Sequence, residues 1–266
     1  MSKLTRKGAM KKAAEEFRAK TGISFTLEMT GKMEGMIALS SSPNGNERCK
    51  KRAECGNENC ICTKCYSIAS MKWKRNLDKM TEENGKILSE KVIPVEAWLA
   101  IDPLVYPWLR GEAHGDLRNA IHAINMNNLA IRNPQVPMAL WTKNGDYIRT
   151  ATEMGHVKAD NLTVLGSSPQ LNTEIDLDKH PEYDKSFTVY TYEYIVEHKL
   201  TPLFFNCGAR HCLSCGKCYH KNNGIRQIHE ILKSDTKRTY KYWEAQGWTD
   251  LDTEHPHLIA TEIANS

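Results

Sequence analysis

The chain lacks any apolar run near the roughly 20 residues that a membrane span requires. Its first stretch, MSKLTRKGAMKKAAEEF, is charged throughout and has no apolar signal core. These absences lead us to expect a protein of the cell interior, cytoplasmic and without a membrane partner. Charge of one sign is also missing. Thirty-six Lys and Arg against 32 Asp and Glu leave a net charge of +4, which permits nucleic-acid contact without arguing for it. Neither an internal repeat nor a low-complexity segment is present, so solenoid and disordered classes fall away. At 266 residues with 40% hydrophobic composition, the chain can bury a core without disulfide staples. Reducing compartments disfavour such staples in any case.

The nine cysteines therefore need another explanation, and their distribution supplies one. Cys49, Cys55, Cys60, Cys62 and Cys65 form one group, Cys207, Cys212, Cys215 and Cys218 a second, and none lies between. The first reads Cys55-x4-Cys60-x-Cys62-x2-Cys65. Four such thiolates suit a tetrahedral zinc or a four-iron cluster, and Cys49 is the one in excess. The second reads Cys207-x4-Cys212-x2-Cys215-x2-Cys218 and opens with plant-type ferredoxin spacing. Zinc ribbons separate their CxxC pairs further, so the compact run leans towards an iron–sulfur cluster, with zinc as the alternative. His211 and His220 are either spare zinc ligands or solvent-exposed loop histidines. Sulfurs sharing a metal should lie about 3–4 Å apart.

Around these groups, short apolar stretches alternate with helical ones, which implies parallel βαβ units. Six strands are expected at 36–40, 105–111, 136–141, 162–165, 187–190 and 203–206. The long polar stretch from Tyr66 to Val92 should be helical, as should the chain from about Ile225. We read residues 1–22 as a basic N-terminal helix and 23–235 as the α/β domain with both cysteine groups. Residues 236–266 are a C-terminal helix and acidic tail. Chemistry in parallel sheets sits at the carboxyl ends of strands. Both groups would fall there, one after the first strand and one after the sixth.

Two further loops occupy that edge. Glu112, His114 and Asp116 follow the second strand. Asp116 is placed to cap a helix starting at Leu117, or else the three present acceptors to a ligand amine. Lys143 ends the third strand in Trp141-Thr-Lys-Asn144, where it meets a carboxylate or phosphate or is simply solvated. Ser167 and Ser168 after the fourth strand read as ordinary loop residues.

Cys65-Tyr66, Arg110-x3-His-Gly-Asp116, Trp141-Thr-Lys-Asn144 and the terminal cysteine run, in that order, resemble the phage gene-product-88 domain family over roughly residues 33–235. That resemblance implies a protein of phages, prophages or mobile elements. The layout is also similar to the radical S-adenosylmethionine enzymes, although their Cys-x3-Cys-x2-Cys is absent. It implies a partial (β/α)6 barrel-like parallel sheet with two cysteine-rich metal-binding loops. A reactive 4Fe-4S cluster would sit on Cys55, Cys60, Cys62 and Cys65, and an auxiliary one on Cys207, Cys212, Cys215 and Cys218. S-adenosylmethionine would be held by Glu112 and Asp116, with His114 and Lys143 as further catalytic candidates. The rival reading is a zinc-stapled phage protein binding nucleic acid or a host protein. It would use the basic N-terminal helix and Arg210, Lys217, Lys221 and Arg226 for phosphate contacts.

Overall fold

Hydrophobic alternation with a period of two writes the sheet. Ile37 and Leu39, Leu109, Met138 and Leu140, and Leu162 and Val164 face one core, whereas Met36, Ala139, Leu165, Phe187 and Ile228 face another. The computed structural model describes residues 3–207 and 211–248; Arg210 and the tail from 249 onwards lie outside the described residues. Six strands pair in parallel in the order of the chain: β1 (Ile37–Leu39), β2 (Leu109–Gly111), β3 (Met138–Thr142), β4 (Leu162–Ser167), β5 (Lys185–Tyr190) and β6 (Gln227–Ile231). No ladder joins β6 to β1 among the described residues. The order never reverses, so right-handed crossovers deliver the helices to one face.

That face carries the large core. α1 (Lys3–Thr21) docks through Met10, Ala14 and Phe17 and ends at Gly22, whose φ of +78° suits a residue without Cβ. The basic N-terminal helix is therefore part of the core rather than a detached arm. α2 (Glu47–Ala53) and α3 (Tyr66–Met71) flank the first cysteine group. α4 (Arg75–Glu90), α5 (Ala120–Arg132) and α6 (Gly145–Glu153) complete the helical layer. α7 (Tyr192–Glu197) and α9 (Thr236–Ala245) pack Ile195, Tyr240 and Trp243 against Tyr190 and Phe205 in a satellite core. The opposite face of the sheet is covered by something else: the segment bearing the second cysteine group, with the four-residue α8 (Cys212–Cys215) in it. Cys207, Cys212, Leu213, Cys218, Tyr219 and Ile225 pack there beside Met33 and Trp108.

Three expectations are corrected. The sixth strand is Gln227–Ile231, not 203–206, which is a 3-10 turn at Pro202–Phe204. Proline pre-sets the turn's φ and offers no ladder donor. The polar residues of β6 disguised an edge strand as a helix start. The second cysteine group consequently precedes β6, in the β5–β6 crossover. The Tyr66–Val92 helix is broken at Lys72–Lys74 into α3 and α4. Asp116 does not cap α5; Asn119 does, accepting from the His122 N–H at 2.9 Å.

Buried asparagines tie irregular chain to helices. Asn125 is fully buried; its Oδ1 accepts from the Ile93 N–H (2.7 Å), and its Nδ2 donates to the carbonyls of Leu88 and Lys91 (2.8 Å each). Replacing it by leucine strands one buried donor and two acceptors at about 1–3 kcal/mol each before relaxation. The Asn125→Leu variant is expected to lose about 3 kcal/mol. A lower urea midpoint at unchanged slope is the result that checks it.

Candidate metal and ligand cavity

The loop after β2 is built for tight approach to the end of β1. Gly115 has a φ of +75°, and a Cβ there would sit 2.3 Å from the Ser41 carbonyl oxygen, so only glycine fits. Ser40 Oγ accepts from the N–H groups of Ala113 (3.1 Å) and His114 (3.3 Å). Glu112, itself at a φ of +53°, takes Ser41 N–H and Oγ–H on Oε2, both at 3.0 Å. Its Oε1 stands 3.1 Å from His122 Nε2, with both side chains fully buried. Asp116 is equally engaged. Its Oδ1 accepts from Thr142 Oγ1 (2.5 Å) and the Leu117 N–H (2.8 Å), and its Oδ2 from the Lys143 N–H (3.0 Å). Arg52 Nη1 is 3.6 Å from Oδ2. Burial nonetheless pushes the Asp116 carboxyl above the usual range, with Lys143 acting in the opposite direction. Both carboxylates that the sequence offered to a ligand amine thus have protein partners, and Asp116 joins the β2 loop to the end of β3.

Next to this staple lies a cavity of about 520 Å³. It is bounded by the ends of β2, β3 and β4 and by the cysteine-bearing face of β5 and β6. Seven of the nine cysteines line it: Cys49, Cys62 and Cys65 from the first group, and all of Cys207, Cys212, Cys215 and Cys218. Cys55 is exposed and off the lining. Cys60 is buried, donates through Sγ to the Arg52 carbonyl at 3.7 Å, and is stitched by a bridge to Gln170. The structure thus brings Cys62 and Cys65 to the cavity but not their expected companions Cys55 and Cys60, and places Cys49 there instead.

Comparison with protein-family models, curated proteins and solved structures finds no match to this chain. The chemistry open to the cavity is therefore a matter of its own residues.

No three His, Cys, Asp or Glu side chains among the described residues stand close enough together to hold an ion, so the expected sulfur spacing of about 3–4 Å is not met. The thiols do influence one another electrostatically. Burial pushes Cys62 up to about 11, with Lys143 and Arg52 pulling down and Cys60 and Cys65 pushing further up. Burial pushes Cys218 up to about 12, opposed by Arg110 and assisted by Cys215 and Cys212. Burial and then Glu230 raise Cys207 strongly. At neutral pH these groups are uncharged thiols. A metal that displaces their protons supplies the free energy to gather them.

Cations surround the sulfurs. Burial raises Cys212 as it does Cys218, and Arg110, which lies over the Trp141 ring 3.0 Å from its centroid, offsets part of both rises. Lys143 Nζ donates to Ser167 Oγ at 3.2 Å. Lys217 donates to the Asn206 carbonyl at 3.1 Å, and Lys233 sits 5.6 Å over the Tyr66 ring. None of these four has a carboxylate partner among the described residues, whereas the lining acids are taken: Glu112 by Ser41, Asp116 by Arg52, Glu230 by Lys32 at 3.3 Å. Electropositive walls of this kind favour thiolates and the anionic centres that thiolates build. His114 also lines the cavity, its Nδ1 3.1 Å from Ser67 Oγ. Burial and then Lys74 lower its pKa, so the ring is neutral at pH 7.

Sequence reasoning set Cys49 aside as the cysteine in excess, quoted Arg110 only within a motif, and missed Arg52. Cys49 and Arg52 are three residues apart on α2 and so share a helix face, a signal available in advance. Arg110 and Trp141 fall on the cysteine-bearing face by strand parity, which became countable only once the register was known. Of the nucleic-acid candidates around the second group, Lys221 donates to the Ala159 carbonyl (2.9 Å) and Arg226 pairs with Asp178 (3.3 Å).

Proposed function

We propose that this chain is an iron–sulfur protein of enzyme type, with its parallel sheet serving as a radical S-adenosylmethionine-like partial barrel. The observation that carries this reading is the convergence of two cysteine groups, far apart in sequence, on the wall of one cation-rich cavity. The chemistry of the donors suits such a group, which would have to draw the sulfurs together on binding: soft thiol ligands, hydrophobic cover from Trp108, Trp141 and Tyr219, and positive charge nearby. Cys207, Cys212, Cys215 and Cys218 would complete one four-thiolate site. Cys49, Cys62 and Cys65 would make a three-thiolate site, and a four-iron cluster held by three thiolates supplies an iron open to an added ligand.

Around that ligand the chain's own residues have separate tasks. Lys143, which has only Ser167 as a neutral partner among the described residues, would meet a carboxylate or phosphate. Arg52 and Asp116 hold the Lys143 backbone and Asn144 in place through the contacts at Asp116 Oδ2 and at Asn144 Oδ1 (2.7 Å). Tyr66 donates its hydroxyl to the Ala113 carbonyl at 2.6 Å, which ties α3 across the cavity mouth. S-adenosylmethionine is the ligand that the layout implies, and a phage or mobile-element origin is what the motif order implies.

Analysis of iron, acid-labile sulfide and zinc in protein purified without oxygen tests the reading. Iron and sulfide in equal amounts, with heat on titration by S-adenosylmethionine, are the expected outcome. Zinc without sulfide would replace it with the zinc-stapled binding protein.

A further inference from the structure

Beyond the cavity, the end of α3 carries exposed side chains that the proposed cluster and small ligand do not use. Trp73 is 88% exposed, more than any other large hydrophobic side chain among the described residues, and Tyr66 is 59% exposed. Trp73 stands in the turn that breaks α3 from α4. The turn is itself ordered: the N–H groups of Trp73 and Lys74 donate to the Ser70 carbonyl at 3.1 and 3.0 Å. The residues beside the indole are Lys72, Lys74 and Arg75, all exposed and without carboxylate partners among the described residues. Lys74 lies close enough to His114 to depress it. The His114 and Tyr66 ring centroids are 6.1 Å apart in a tilted arrangement, and Lys233 Nζ lies 5.6 Å from the Tyr66 centroid. Tyr66, His114 and Lys233 line the cavity, and the six-residue α3 leads from Tyr66 to the turn that carries Trp73 and its neighbouring cations; the rings and cations at the two ends of this short helix make up one strip.

We propose that this strip binds single-stranded nucleic acid, with bases stacking on Trp73 and Tyr66 and phosphates meeting Lys72, Lys74, Arg75 and Lys233. The chemistry selects this partner over others. Lysines alone would attract any polyanion, including an acidic protein. A lone exposed indole would suit many apolar surfaces. Flat exposed rings interleaved with unpaired cations match a chain that alternates π-faces with phosphates. A duplex offers its phosphates but hides its bases from the rings. The strip needs no metal to present these groups, and it is distinct from the nucleic-acid surface expected from the sequence. On that surface Arg6 pairs with Asp102, Lys7 with Glu28 and Lys12 with Glu16 on α1.

The test is fluorescence anisotropy of the full-length protein with a labelled oligothymidine of about 12 nucleotides, repeated from about 50 to about 200 mM salt. Binding that weakens steeply with salt is expected. Trp73→Ala should weaken it by about fivefold to a hundredfold, while Trp73→Phe, which keeps a ring, should lose much less. The triple variant Lys72→Glu, Lys74→Glu, Arg75→Glu should weaken it at least about tenfold and flatten the salt slope. All three positions are exposed, so circular dichroism should stay at the wild-type signal. Reversing Lys3, Lys11 and Arg18 on α1 should change nothing. No binding at low salt would overturn the proposal. So would unchanged affinity in Trp73→Ala, equal competition by polyglutamate or duplex DNA, or loss of binding in the α1 variant alone.

Discussion

Serine at Cys62 should lower bound metal by one site's share and leave the fold standing, while serine at Cys55 should lower it by nothing. The contrast follows from placement. Cys62 lines the cavity with Lys143 and Arg52 acting on its sulfur, whereas Cys55 is exposed and off the lining. The sequence treated the two as equivalent members of one run. Serine at Cys49 should behave as Cys62 does, since burial raises its thiol and the same two cations oppose that rise. Serine at Cys215 should remove the other site's metal and also destabilise the protein by several kcal/mol. Its segment packs on the sheet, and metal held there as proposed would contribute directly to folding. Metal content per chain and urea midpoints, measured side by side on the variants, decide the matter. Loss of metal from Cys55→Ser, with none from Cys49→Ser, would return the first site to the Cys55-x4-Cys60-x-Cys62-x2-Cys65 set.

Alanine at Asp116 is expected to cost about 3–5 kcal/mol, the range for removing one partner of a buried ion pair. The carboxylate is 3% exposed. Without it, the Thr142 hydroxyl and the backbone N–H groups of Leu117 and Lys143 lose their acceptor, and Arg52 loses its counter-charge. Asparagine keeps one acceptor oxygen and should cost less than half as much. Urea unfolding gives both values. If Asp116→Ala were within about 0.5 kcal/mol of wild type, as for surface positions, the carboxylate would be free of structural duty and a ligand contact would be its remaining role. The Asp116→Asn variant, rather than alanine, is accordingly the one with which to test ligand binding.

Several features were legible without coordinates because they depend on local spacing. Gly22 ends α1, and the apolar runs expected as strands at 136–141 and 162–165 are strands at 138–142 and 162–167. The alternation of these elements implied a parallel sheet, since parallel neighbours need crossovers. Where local signals competed, the reading failed. Gln-Ile-His-Glu-Ile at 227–231 resembles the start of a helix, and only pairing with β5 on its inner side makes it a strand. Asp116 carries the signature of a cap. The loop instead turns it inward, because Gly115 lets the chain lie against Ser41.

By itself, then, the sequence determined that the protein is α/β with a parallel sheet and that its cysteines form two groups. Both facts are written in periodicity and in counts along the chain. Tertiary structure alone decided that the two groups share one cavity and that the second covers a sheet face. It also decided that Cys49 stands where Cys55 was expected, and that Glu112 and Asp116 answer to protein donors. Those outcomes depend on strand register and on loops meeting across 26 to 71 residues of chain for the two carboxylates and more than a hundred for the cysteine groups, and side-chain direction at such distances is set by packing rather than by neighbours in sequence.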